Sequence, residues 1–162
     1  TKWFQHHYFQ EESNEKLAKE LQALLKSRNL GYNLEYIKKV VSLLKERASF
    51  VKDFWELGDY FFISPENYDE KASKKAWKED TAELMEQVIE IVEEVDDFSA
   101  EKVQEKVKSW ITAQTIGFGK VMQPFRLSLV GAMQGPDVFE IAAALGKEET
   151  LERLRKAVEV LG

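Results

Sequence analysis

Apolar residues return along this chain at intervals of three and four, the spacing that gathers them on one face of an α-helix, and residues of capping type stand at the start of most such runs. Ser13 and Asn14 precede Leu17, Leu21, Leu24 and Leu25, a run closed by Asn29 and Gly31. Asn33 precedes Leu34, Ile37, Val40, Val41 and Leu44. After a break at Ala48-Ser49 the pattern predicts a short helix opened by Ser49, carrying Val51, Phe54 and Trp55 and ending near Gly58. The aromatic run Tyr60-Phe61-Phe62 then meets the turn-forming residues Ser64-Pro65-Glu66-Asn67. The joint between two helical subdomains, 1–66 and 67–162, is placed there.

Beyond the joint, Asp69 opens a short helix to Trp77, and Asp80 or Thr81 opens a longer one whose inner stripe is Leu84, Val88, Ile91, Val92 and Val95. Ser99 caps the next, with Val103, Val107, Trp110 and Ile111 inward. The segment from Val121 to Val130 is apolar, with Pro124 near its start. Proline would interrupt a central strand but is tolerated in the first turn of a helix, so a helix is predicted, ended by Gly131. Pro136 likewise stands in the first turn of a helix reaching Leu145, which Gly146 stops, and Glu149 to Leu161 forms the last helix. No repeat and no β-hairpin signal interrupts the series, so the predicted fold class is all-α.

Composition narrows the chemistry. The chain has 162 residues, 44% hydrophobic and 32% charged, enough to build its own core without a stapling metal or disulfide. It has no cysteine, which removes disulfides, thiolate zinc sites and cysteine nucleophiles. Its two histidines, His6 and His7, are adjacent within Trp3-Phe4-Gln5-His6-His7-Tyr8-Phe9 and form no HExxH or ExxH arrangement. Packing against the missing part of the longer chain is the expected role of the two histidines in this aromatic stretch, and no catalytic residue or metal ligand is assigned. No apolar run approaches the ~20 residues of a membrane span, and nothing reads as a signal peptide, so the expectation is a cytoplasmic monomer without membrane contact. The chain opens on Thr1 directly before the aromatic stretch and reads as a piece of a longer protein.

The net charge of −6 argues against a polyanionic partner until its distribution is considered. From Glu79 to Asp97 there are nine carboxylates and no Lys or Arg, so this window carries −9 and leaves +3 for the rest. A basic face is therefore available. The carboxylates alternate with an apolar stripe as a solvated helix face does, whereas catalytic carboxylates need desolvated, unequal surroundings. Trp3, Trp55, Trp77 and Trp110 fit helical core positions. No GxxxxGK[ST] phosphate loop is present.

One segment differs from this background. Ile116-Gly-Phe-Gly-Lys120-Val-Met-Gln123-Pro124-Phe-Arg126 places two glycines, two cations and a side-chain amide around a helix start, and Gln134-Gly135-Pro136-Asp137 repeats the loop-into-helix arrangement. Two helix N-termini beside Lys120 and Arg126 form a rim suited to splayed nucleotides or phosphate. On residue chemistry alone, an ordinary helix-turn-helix connection fits equally well.

The order of motifs resembles the C-terminal, anticodon-binding part of bacterial-type glutamyl-tRNA synthetases. The residues that carry the resemblance are Lys2-Trp3-Phe4, Leu43 to Arg47 followed by Phe50 to Phe54, Gly119 to Arg126, Gly131, and Gly135 to Glu140 with Leu145-Gly146-Lys147. The signatures of the catalytic portion (HIGH-like and KMSKS-like) are absent, so this chain is not expected to aminoacylate. The resemblance implies an all-α helical cage of two subdomains that receives the anticodon stem-loop of glutamate tRNA. It implies a missing N-terminal catalytic domain as the second partner, where ATP and Mg would act; no cofactor is expected in this chain. It further implies that Arg47 reads the third anticodon base, that Gln123, Arg126, Gly135, Pro136, Val138 and Phe139 line a pocket for the others, and that Lys120 and Pro124 neighbour it. Phe139 and Val138 are candidate surfaces for unstacked bases, although Phe139 is equally a core candidate.

Arg47 has a physical rationale of its own. A guanidinium only donates hydrogen bonds; the pairing edge of cytosine offers adjacent acceptors, and guanine presents donors at the corresponding place. Glutamate anticodons end in C and glutamine anticodons in G, so arginine accepts one and rejects the other. The competing class is a helical interaction or scaffold module working through the acidic helix. It would require an exposed apolar groove, whereas the stripes have ordinary core width.

Overall fold

A computed structural model describes residues 2–162, the side chain of Lys2 excepted, so Thr1 and the lysine side chain of the Lys-Trp-Phe motif lie outside what is described. Among the described residues the fold is all-α, with ten α-helices, two 3-10 turns and no strand. None of these helices is long and apolar enough to cross a membrane. The chain separates into two compact units, Thr1–Ile63 and Ser64–Gly162.

The first unit contains α1 (Lys2–Glu11), α2 (Asn14–Ser27), α3 (Leu34–Leu44) and α4 (Val51–Gly58), with 3-10 turns at Lys45–Arg47 and Asp59–Phe61. Two starts follow the expected capping chemistry: the Ser13 hydroxyl accepts from the Lys16 amide at 3.1 Å, and the Asn33 amide oxygen from the Tyr36 amide at 2.8 Å. Leu17, Leu21 and Leu25 of α2 bury against Ile37, Val40, Val41 and Leu44 of α3, and Phe54 of α4 closes this core. The start of α4 departs from the expectation. Its amides at Ser49 and Phe50 are satisfied by the Asp53 carboxylate at 2.8 and 2.9 Å, because a carboxylate three residues in reaches both. The Ser49 hydroxyl is left to meet His6.

The joint falls between Ile63 and Ser64 rather than at 66/67. Tyr60, Phe61 and Phe62 are buried in the first unit, where the hydroxyls of Tyr32 and Tyr36 donate to the carbonyls of Phe62 and Phe61. The residues that follow belong to the second unit. Lys156 donates to the Pro65 carbonyl at 2.8 Å, and Gly131 lies so close that an added Cβ would stand 2.9 Å from both the Asn67 carbonyl oxygen and Pro65 Cβ. With φ at +82° and that close approach, only glycine fits at 131.

The second unit holds α5 (Glu70–Ala76), α6 (Thr81–Glu93), α7 (Ala100–Ala113), α8 (Phe118–Val130), α9 (Val138–Leu145) and α10 (Lys147–Leu161). Helix α8 touches the other five and is its axis. It begins at Phe118, so Pro124 lies inside it rather than in the first turn. Proline removes one backbone bond there, and burial of Val121, Phe125, Leu127 and Leu129 outweighs that loss. At its other end Arg153, only 3% exposed, donates to the Leu129 carbonyl and to Glu149, both at 2.7 Å. A cation thereby caps the negative end of the helix. Burial raises the neighbouring Tyr68 hydroxyl above its ordinary range, with Arg153 opposing.

Other details shift. The buried stripe of α6 is Met85, Val88, Ile89 and Val92, rotated away from Leu84 and Ile91, which are half-buried. Pro136 precedes α9, whose cap is Asp137. Trp3 is 74% exposed rather than core, and Trp55, Trp77 and Trp110 are half-buried.

Candidate nucleic-acid interface

Helical periodicity sorts the Gly119–Arg126 block before any ligand is considered. Gly119, Met122, Gln123 and Arg126 stand at i, i+3, i+4 and i+7 and share one face of α8. That face lines a hollow of about 300 Å³ whose opposite wall is Asp137, Val138 and Phe139 at the start of α9, with Lys108 of α7, Phe118 and Met133 at its margins. Lys120 and Pro124 lie off this face. Pro124 is buried, and the Lys120 ammonium pairs with Asp80 at 2.5 Å, holding that carboxyl below the usual carboxylate range. Neither residue lines the hollow, and each directly follows one that does, Gly119 and Gln123.

Arg126 does more than line the wall. Its Nη1 donates to the carbonyls of Gln134 at 3.0 Å and Pro136 at 2.8 Å, fixing the loop that leads into α9. Gly135 within that loop has φ of +106°, a conformation that suits glycine. Gly135 and Pro136 are not among the residues that line the hollow; Pro136 is tied to it through the carbonyl that accepts from Arg126. Phe139 is 2% exposed and packs on Phe125 with centroids 6.1 Å apart, so its ring is core that closes the floor rather than a stacking platform. Gln123 is half-buried, and its amide forms no hydrogen bond among the described residues. It also borders a second hollow of about 270 Å³, shared with Met133 and edged by Lys71 and Lys75 of α5.

Lys71, Lys75, Lys108, Phe118 and Met133 were absent from the expected set. Three of them belong to helices remote in sequence, and no local spacing connects them to the block on α8.

Arg47 belongs to the first unit, at the end of the 3-10 turn Lys45–Arg47. Its side chain is exposed and has neither hydrogen bond nor ion pair among the described residues. The histidines lie nearby in α1. His6 Nδ1 stands 3.0 Å from the Ala48 carbonyl and 3.2 Å from the Ser49 hydroxyl. His7 stacks on Trp3 and comes within 3.4 Å of Glu11, four residues on, a pairing that the sequence pattern should have shown. The stripes of ordinary width leave out one patch: Phe4, Tyr8 and Phe50 are exposed around a hollow of about 430 Å³ in this unit. On α6 the carboxylates of Glu83, Glu86, Glu90 and Glu93 face solvent, with Glu93 3.4 Å from Arg155.

Residues 12–158 match the family model described as an anticodon binding domain. The chain is 53% identical over 161 residues to a glutamate–tRNA ligase of Christiangramia forsetii and 48% identical to one of Flavobacterium johnsoniae, covering 99% of this chain and 32% of each relative. A crystal structure of a glutamate tRNA ligase from Elizabethkingia meningosepticum in complex with its amino acid superposes with a TM-score of 0.95 at 45% identity, over 99% of this chain and 32% of that one. A glutamate-tRNA synthetase from Elizabethkingia anophelis gives a TM-score of 0.89 at 43% identity. The chain spans about a third of the length of these relatives.

Proposed function

This chain belongs to the anticodon-binding domain family, and from that premise we propose that it is the tRNA-binding portion of a glutamate–tRNA ligase, receiving the anticodon stem-loop of glutamate tRNA. Activation of glutamate, with its ATP and magnesium, is assigned to a separate catalytic portion. The observation that carries the reading is the single face of α8 that brings Gln123 and Arg126 against Val138 and Phe139 around one hollow.

The division of labour follows from the side chains. Met122 and Val138 offer an apolar wall for an unstacked base, over a floor closed by the buried Phe139 ring. The Gln123 amide carries both a donor and an acceptor, so it can meet a base edge of either polarity. Lys71, Lys75 and Lys108 stand at the margins, where an ammonium meets phosphate as a point charge. Arg47, with its donors unengaged, reads the third base as C and rejects G.

Binding of an anticodon stem-loop by the chain, followed by fluorescence anisotropy, tests this. Affinity is expected to fall steeply with salt, since each phosphate neutralised releases counterions. The stem-loop ending its anticodon in C should bind more tightly than the one ending in G. Affinity that is flat in salt and equal for the two RNAs would overturn the proposal. The exposed patch of Phe4, Tyr8 and Phe50 is the observation that favours a scaffold role, and it lies in the first unit rather than on the acidic helix.

A further inference from the structure

We propose that His6 and Gln10 are positioning residues for Arg47, fixing from α1 the turn that presents its guanidinium; the inference rests on the reading of Arg47 given above. A 3-10 turn of three residues has poorer hydrogen-bond geometry than an α-helix and needs outside support to hold one shape. Here the support reaches the backbone on both sides of Arg47. Gln10 Nε2 donates to the Lys45 carbonyl at 2.5 Å and lies 3.5 Å from the Ala48 carbonyl. His6 Nδ1 approaches the same Ala48 carbonyl at 3.0 Å. That oxygen only accepts, so the contact is a hydrogen bond in the tautomer that carries the ring proton on Nδ1, which then donates; the Ser49 hydroxyl stands 3.2 Å from the same nitrogen. Lys45 returns the bond, its ammonium donating to the Glu12 carbonyl at the end of α1.

Arg47 therefore sits between two carbonyls tied to one helix, while its own side chain is exposed and unpartnered among the described residues. Ala48 is fully buried, so a donor lost there is not simply replaced by bulk water. Two parallel hydrogen bonds to a base edge tolerate little displacement, and about 1 Å of drift at the turn is enough to lose them. The amide and the imidazole thus act on selectivity through Arg47 without touching RNA.

The test uses two stem-loops that differ only in C or G at the third anticodon position, bound by the chain and its variants. Gln10→Ala and His6→Phe are each expected to reduce the ratio of the two dissociation constants at least about fivefold, toward the ratio given by Arg47→Gln. His6→Asn, whose side-chain NH2 occupies the place of Nδ1–H, should retain the wild-type ratio. A merely structural role would shift the melting temperature and weaken both RNAs alike. That result, with the ratio kept, overturns the inference even if Arg47→Gln abolishes selectivity. If Arg47→Gln itself leaves the ratio unchanged, the reading of Arg47 fails first and the positioning role falls with it.

Discussion

Arg47 in the first unit and Arg126 in the second carry the same side chain and were expected to serve the same ligand, yet their surroundings assign them different work. Arg126 gives its Nη1 protons to the carbonyls of Gln134 and Pro136. Arg47 is exposed, and what is held in place is its backbone, by His6 and Gln10. A donor already engaged by its own chain shapes a pocket, whereas an unengaged donor on a fixed turn can choose between bases. The family motif contains both arginines without distinguishing them; only hydrogen-bond partners do.

The largest expected effect tests whether the wall near Arg126 is scaffold. Phe139→Ala should lower stability by about 3–5 kcal/mol in urea unfolding, because a ring 2% exposed and packed on Phe125 leaves a cavity when removed. A loss below about 1 kcal/mol would mean that the ring works at the surface. Arg126→Met comes next. Losing two hydrogen bonds from a charged donor should cost about 1.5–3 kcal/mol and weaken binding of the C-ending and G-ending stem-loops alike, since loop 134–136 loosens for both. A change in their ratio instead would make Arg126 a reader and erase the contrast with Arg47.

Arg47→Gln is expected to do the opposite. Stability should stay within about 0.5 kcal/mol, as for exposed positions generally, while selectivity for C over G falls by about 1–3 kcal/mol, by analogy with bidentate base readout in DNA. Charging competition between glutamate and glutamine tRNAs, with the substitution placed in an intact ligase, measures the same quantity. Unaltered selectivity there removes Arg47 from recognition.

What could be read in the sequence follows the same line between local and distant causes. Ser13, Asn33, Asp69 and Ser99 were legible as caps because a cap is decided by a side chain and an amide three residues away. The start of α8 was not, since the local rule for Pro124 is overridden by burial against five helices. The stripe of α6 turned to Met85 and Ile89 for a similar reason: its apolar residues permit two neighbouring faces, and the partners choose. In the site, periodicity alone separates Gln123 and Arg126 from Lys120 and Pro124, whereas Lys71, Lys75 and Lys108 join it only by tertiary packing. Trp3 illustrates the limit of composition, an aromatic residue assigned to core and found at the surface.

The smallest effect concerns the cation that sequence proximity put beside the pocket. Lys120 and Asp80 pair with both side chains about half exposed, so the bond is screened by solvent, and Lys120→Met should change stability only slightly. Its pH dependence has a definite sign. The Lys120 hydrogen bond lowers the Asp80 carboxyl below its ordinary value, so the folded chain binds that proton less readily than the unfolded chain. The contribution is therefore present at neutral pH and is lost as pH falls from the ordinary carboxylate range through the depressed value of Asp80. Urea midpoints of the native chain and of Lys120→Met should differ slightly at pH 7 and draw together as pH falls through the depressed value of Asp80. Because Lys120 faces Asp80 rather than the hollow, the same variant should leave the C-over-G ratio intact; a changed ratio would return this lysine to the recognition surface and place both faces of α8 in contact with RNA.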